Sequence, residues 1–233
     1  FNYTKLTSIT IPHSITTMES WTFTDATSLT TITVAAGNSV YKAENGVLYS
    51  KDGKTLVCYP AGKTGDSFTI PSDVTKIGQN AFGNSQITSI NIPANVTEIG
   101  SWAFSGATSL TSITVDSTNE YYEAADGVLY NKGQTTLISY PAGKTDISFT
   151  IPHTVTTIAD EAFAYSQFTS ITIPATVTKL GDYVFGGSSI IKLIIAERDT
   201  VLDIEYGEID DNNFYYDGPG TYILDDYTWI KQP

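Results

Sequence analysis

The side chains best suited to chemistry in this chain are two histidines, His13 and His153, one cysteine, Cys58, and scattered carboxylates such as Asp160-Glu161. A histidine beside a thiol or hydroxyl makes a base and a nucleophile, and three or four converging His, Cys, Asp or Glu side chains hold a metal. The spacing supports neither arrangement. His13 and His153 each follow Ile-Pro in the same slot of two repeats far apart in the chain, so both are expected exposed in separate turns. Cys58 has no histidine near it, and the equivalent position 81 residues on is Ser139, so a buried structural thiol is expected. Gly62-Lys63-Thr64 and Gly143-Lys144-Thr145 resemble the tail of a phosphate-binding loop. The first glycine of that loop would fall at Val57 and Ile138, so both segments read as turns. The stretch "DIEYGEIDDNNFYYDG" offers Asp203, Glu205, Asp210 and Asp211 as oxygen ligands for Ca²⁺, but without EF-hand spacing, and solvated acids are the plainer reading. Asp160-Glu161 has Gln79-Asn80 as its equivalent and needs no function. The sequence therefore predicts no catalytic residue, no metal and no cofactor, and no enzyme.

Composition excludes further classes. A net charge of -13, a pI near 4.3 and a single arginine, Arg198, are wrong for a phosphate-binding surface, so nucleic acid is not an expected partner. With 233 residues and 41% hydrophobic content the chain can bury a substantial core, and it has no apolar run of 18 residues, so membrane insertion is not expected. No basic region followed by an apolar stretch stands at residue 1, and the expectation is a signal peptide already removed or a cut fragment.

The elements that carry these residues are repeats. Residues 6–86 slide onto 87–167 without a gap, with 45 identities in 81 positions. Inside each copy a unit of about 22 residues recurs, as in "SITIPHSITTMESWTF" from Ser8, "SFTIPSDVTKIGQNAF" from Ser67 and "SITIPATVTKLGDYVF" from Ser170. Each unit opens with alternating apolar and small polar residues rich in Ile, Val and Thr, then meets a proline, which ends ladder pairing, so one strand per coil is expected. The second half supplies more apolar positions, such as Val74, Ile77, Ala81 and Phe82. A lone unit cannot bury both halves. Stacked units can, because each coil closes the core of its neighbour.

The pattern L-x-x-I-x-I-P-x-x-V-x-x-I-G-x-x-A-F resembles the BspA-type, or Treponema pallidum-type, leucine-rich repeat of bacterial surface proteins, over roughly residues 6–195. One departure is visible: family repeats often place a cysteine a few residues after Ala-Phe, where this chain has Ala26, Ser85, Ala107, Ser166 and Ser188. The resemblance implies a leucine-rich repeat solenoid: a curved, right-handed, β-rich superhelix of short strands with irregular or 3-10 returns. It also implies export to the cell surface or extracellular space, host-associated bacteria, and binding or adhesion without catalysis.

Aligning one slot per unit gives about eight coils, with spacings of 22 or 23 broken by two of 36. The long spacings are inserts, "NGVLYSKDGKTLVCYPAGKTG" from Asn45 and its copy from Asp126, and each predicts a β-hairpin, turned in the first copy around Asp52-Gly53. Strand residues alternating with buried Ile point outward and stack into ladders. One runs through Thr10, Thr33, Thr69, Asn91, Thr114, Thr150 and Thr172; its neighbour includes Ser89, Ser112 and Ser148. Eight coils would make a hydroxyl-lined sheet roughly 35 Å long. This is the candidate binding face, for an extracellular protein or glycan, host matrix included. Residues 197–233 break the repeat, concentrate acid and aromatic residues, and read as a small C-terminal β cap in which "GTYILDDYTWIKQP" forms a hairpin. The expected domains are a solenoid over 1–196 and the cap over 197–233. The alternative function is a structural spacer of a larger envelope protein with no ligand of its own.

Overall fold

The computed structural model describes residues 1, 3–197, 202–204, 218–225 and 228–232, in two compact units, 1–121 and 122–233. Among those residues there are twenty strands and no helix.

The first unit contains β1 (Ser8–Ile11), β2 (Thr31–Val34), β3 (Tyr41–Glu44), β4 (Val47–Ser50), β5 (Thr55–Cys58), β6 (Ser67–Thr69), β7 (Lys76–Ile77), β8 (Ser89–Ile92), β9 (Glu98–Ile99) and β10 (Ser112–Val115). The I-x-I-P runs form strands because alternate residues turn inward: Ile32, Ile90, Ile92 and Ile113 are all at most 2% exposed. The proline then opens a turn. The amides of Ile15, Val74 and Val96 donate to the carbonyls of Pro12, Pro71 and Pro93 at 3.2, 3.0 and 3.3 Å, and the turn carries Val74 and Val96, both 0% exposed, into the core. That turn delivers the chain into its return, where the two-residue strands β7 and β9 form a second parallel ladder.

Repeat alignment and spatial register coincide. Ser8 pairs with Thr31, and Ser67 and Ser112 both pair with Ser89, in parallel ladders. The insert adds β4 and β5, antiparallel with a bulge at Leu48/Tyr49, as the Asp52-Gly53 turn predicts. It also adds a strand that the sequence reading missed, β3, antiparallel to β4. Asn45-Gly46 turns that pair, with φ of 50° and 81°, the two left-handed residues of a type I′ hairpin. β5 then pairs in parallel with β7, so the last strand of the insert joins the return ladder.

The second unit repeats the scheme with β11 (Tyr122–Ala125), β12 (Val128–Asn131), β13 (Thr136–Ser139), β14 (Thr157–Ile158), β15 (Ser170–Ile173), β16 (Lys179–Leu180), β17 (Lys192–Ile195), β18 (Asp203–Ile204), β19 (Gly220–Asp225) and β20 (Thr228–Lys231). Its sheets run β11-β12-β13-β14-β16-β18 and β15-β17-β19-β20. β19 lies antiparallel on β17, and β20 antiparallel on β19, so a hairpin closes the parallel ladder as a C-terminal β cap. Tyr222 of β19, 1% exposed, enters the core of this unit.

Both cores are aromatic stacks built by the Ala-Phe loops. Phe82 and Phe104 lie 5.6 Å apart at 15°, and Phe163 and Phe185 lie 5.7 Å apart at 14°. Tyr59 and Tyr140 of the inserts pack against Phe82 and Phe163, which anchors each insert on its coil.

Candidate functional site

The candidate face is present as strand residues in register, but not as one column. In the first unit β1-β2 and β6-β8-β10 are separate sheets, so the ladder breaks between Thr33 and Thr69. The cause is the insert: Ile32 donates its amide to Gly46 O at 2.9 Å, so hairpin backbone stands beside β2 on that edge. In the second unit Thr150 bridges to Thr172, Thr172 pairs with Ile194, and Ile194 pairs with Thr221 of the cap. Thr10, Thr33, Thr69, Thr114, Thr150, Thr172 and Ser148 are exposed, while Asn91, Ser89 and Ser112 are half-buried.

Several ladder hydroxyls already have protein partners. Thr10 and Thr33 share a hydroxyl–hydroxyl bond of 2.8 Å, Asn91 Nδ2 donates to Thr114 Oγ1 at 3.0 Å, and Thr114 Oγ1 donates to Ile90 O at 3.3 Å. Flanking threonines clamp coil to coil. Thr30 Oγ1 donates to Thr7 O at 2.9 Å and Thr111 Oγ1 to Thr88 O at 3.0 Å; on the return side Thr97 Oγ1 donates to Thr75 O and Thr178 Oγ1 to Thr156 O, both at 3.4 Å. The threonine of V-T-x-I-G thus has a structural task.

Two buried asparagines tie the inserts to their coils. Asn38, 1% exposed, donates to Pro12 O and Ile15 O at 2.8 and 2.9 Å and accepts from the amides of Val40 and Tyr41 at 2.9 and 2.8 Å. Asn119, its equivalent, donates to Pro93 O and Val96 O. An identical Asn in both halves of the duplication was the available signal for this anchor.

The return loops of each unit hold strained residues. The residue before the Ala-Phe or Val-Phe pair is left-handed at Asn80, Trp102, Glu161 and Tyr183, with φ of 55°, 59°, 52° and 49°. Asn tolerates that region, whereas a bulky side chain there costs about 1–2 kcal/mol. Trp102 packs against Trp21 with the rings tilted by 41° and their centroids 4.6 Å apart, and Trp21 is 40% exposed. The Trp102 Nε1 is enclosed with no hydrogen-bond partner.

The return loops of the first unit also enclose a cavity of about 100 Å³. Its existence follows from the insert, since the second coil has β5 in place of an Ala-Phe loop. The loops of the first and third coils are left facing each other, tied by Asn80 Nδ2 to Thr24 Oγ1 at 2.8 Å and by Asn84 Nδ2 to Asp25 Oδ1 at 3.0 Å. Met18, Phe23, Val57, Cys58 and Tyr59 line it with apolar surface, and Glu19, Ser20, Gln79 and Asn80 add polar groups. The spacing of 36 held the signal for this gap.

His13 and His153 lie exposed in turns, one in each unit. Cys58 sits on β5, and burial pushes its thiol up to about 12, far from a thiolate nucleophile. Gly62 lies in a turn against neighbouring backbone: a Cβ there would meet Thr27 O at 2.6 Å, so close packing explains this glycine. Among the described residues no group of three or more His, Cys, Asp and Glu could hold a metal ion. Of the Ca²⁺ candidates only Asp203 is described, on β18; Glu205, Asp210 and Asp211 lie outside the described residues.

The family profile of the BspA type leucine-rich repeat region matches residues 1–56, 61–149 and 143–216, in six copies. The chain belongs to the BspA-type leucine-rich repeat family. Among solved structures, this BspA-type chain is similar to a leucine-rich repeat protein from Eubacterium ventriosum at 27% identity and a TM-score of 0.58, over 84% of this chain and 63% of that one. It is similar to a leucine-rich cell surface protein from Faecalibacterium prausnitzii at 26% identity and a TM-score of 0.51, over 86% and 60%. The pneumococcal vaccine antigen PcpA, at 22% identity and a TM-score of 0.50 over 91% and 48%, shares the fold. The chain spans less than two thirds of the length of these three structures. No curated protein matches it. No helix among its described residues is long and apolar enough to cross a membrane.

Proposed function

We propose that this BspA-type chain is a non-enzymatic binding module at the bacterial cell surface or in the extracellular space, recognising an extracellular protein or glycan through its solenoid faces. The observation that carries this reading is the family match over most of the chain, together with the likeness to a leucine-rich cell surface protein. Contacts repeated along a regular face add by avidity, which suits a fold that offers many similar shallow sites. The ladder is tested by Thr114→Glu and Ser112→Lys in the intact chain: both abolish partner capture while the protein keeps a cooperative melt, lowered by only a few degrees because Thr114 gives up its bond to Ile90 O and Ser112 is half-buried. Capture that survives both would remove the ladder as the contact surface.

A spacer role is the second reading, and one observation favours it. The hydroxyls of Thr10, Thr33 and Thr114 are engaged with protein partners, as in a module whose outer strand residues only hold coils together.

A further inference from the structure

We propose that the outer face of the first coil is a stacking interface whose occupant is one more coil of the same repeat, laid parallel on the free edge of β1 and joined through Phe1. The inference goes beyond the binding and spacer readings and holds under either.

The apolar slots of this coil are open where the same slots elsewhere are closed. Leu6 is 40% exposed, whereas Leu29, Ile87 and Leu110 are at most 2%; Ile15 is 38% exposed, whereas Val74, Val96, Val155 and Val177 are 0%. β1 pairs with β2 alone, so its outer edge has no strand beside it.

Hydrogen bonding says what fits there, because it has a direction. The hydroxyls of Thr30, Thr88 and Thr111 donate to Thr7 O, Asp66 O and Thr88 O, each in the coil before. On the return side Thr97 and Thr178 donate backward to Thr75 O and Thr156 O. The amides of Thr30, Thr97 and Gly100 follow the same rule at 2.9, 2.8 and 2.9 Å. In the first coil those slots hold Thr7, Thr16 and Glu19, and among the described residues their amides and the two threonine hydroxyls have no acceptor. The face therefore asks for carbonyls at coil spacing, which the far side of a like coil supplies. A second copy of this chain does not supply them: head to head it sets donor against donor, and at its other end β19 already lies on β17.

Phe1 and Tyr3 mark the path by which such a coil enters. Phe1 stacks on Phe23 at 5.9 Å and 10°, as Phe82 does on Phe104 at 5.6 Å and 15°. The Tyr3 amide donates to Thr24 O at 3.2 Å with φ 56°, as the Asn84 amide donates to Ser105 O at 2.8 Å with φ 55°. Residues 1 and 3 thus already hold the closing arc of a coil.

The test joins a copy of residues 85–103 ahead of Phe1, so that Phe1 takes the place of Phe104. A control extension carries serine at the equivalents of Ile87, Ile90, Ile92 and Val96. The authentic coil is expected to raise the melting temperature by about 3–6 °C and to slow amide exchange at Thr7, Thr16 and Glu19 at least tenfold, with no change from the control. Leu6→Ala and Ile15→Ala should lower melting at least twice as far in the extended chain as in the original. Unchanged exchange at those three amides in a folded extended chain, or equal protection by the control, overturns the proposal. So does a concentration-dependent dimer of the original chain that Leu6→Lys abolishes, since a second copy would then be the occupant.

Discussion

Ser85 and Ser166 occupy the slot after Ala-Phe where family repeats often carry cysteine. Both are 0% exposed, and neither Oγ finds a hydrogen-bond partner. A buried hydroxyl left unsatisfied costs about 1–3 kcal/mol. Ser→Ala removes that cost and leaves a void of only about one oxygen atom, roughly 10–15 Å³, for which the cavity penalty is about 0.3 kcal/mol. Each substitution should therefore stabilise by about 1–2 kcal/mol, which is about 3–6 °C in melting temperature for a chain of this size. The two serines lie in different units, so the double variant should show nearly the sum. Ser→Cys should match or exceed Ser→Ala, since a thiol is a weak donor and fills the space with polarisable volume. Calorimetric melts of the wild type and these variants, with urea midpoints as a check, read the effect. A fall in stability for both Ala variants would refute the reasoning, because it would mean that each hydroxyl holds a favourable interaction.

Asn38→Ala removes the partner of the Val40 and Tyr41 amides and of Ile15 O, while Pro12 O keeps the Ile15 amide, and a loss of roughly 2 kcal/mol in urea unfolding is expected. Burial, reinforced by Glu44 and Asp126, pushes the phenols of Tyr49 and Tyr130 up to about 12. Below pH 10 these groups are neutral in both states and contribute no pH dependence; between pH 10 and 12 the unfolded chain loses protons that the folded chain keeps, so stability falls as pH rises. Absorbance at 295 nm and urea midpoints across that range test it. The Cys58 thiol, raised from 9.0 to about 12, should react with a disulfide reagent at pH 8 roughly a thousandfold more slowly in the native protein than in denaturant.

The fold was legible because its unit is short and repeated: I-x-I-P-x-x-V writes a strand, a turn and an inward residue, and the 81-residue duplication sets the register. β3 was missed because the hairpin signal was read at Asp52-Gly53 alone, although Asn45-Gly46 is the stronger one. The broken ladder was missed because equal slot alignment takes no account of what an insert does to the sheet edge beside it. Partners such as Thr10 to Thr33 and Thr114 to Ile90 O depend on coil-to-coil spacing, so these ladder threonines, read from sequence as an outward surface, also bond coil to coil. The Trp21–Trp102 contact and the cavity between the first- and third-coil loops arise from loops brought together in space, and no spacing within a single repeat encodes them.

Capture of the purified chain by an immobilised panel of extracellular-matrix proteins and neutral glycans, read at physiological salt, tests the binding-module account most directly. The account predicts at least one saturable interaction that free ligand competes away. Silence across the panel, from protein shown to be folded by a cooperative melt, would contradict it and leave the spacer reading in its place.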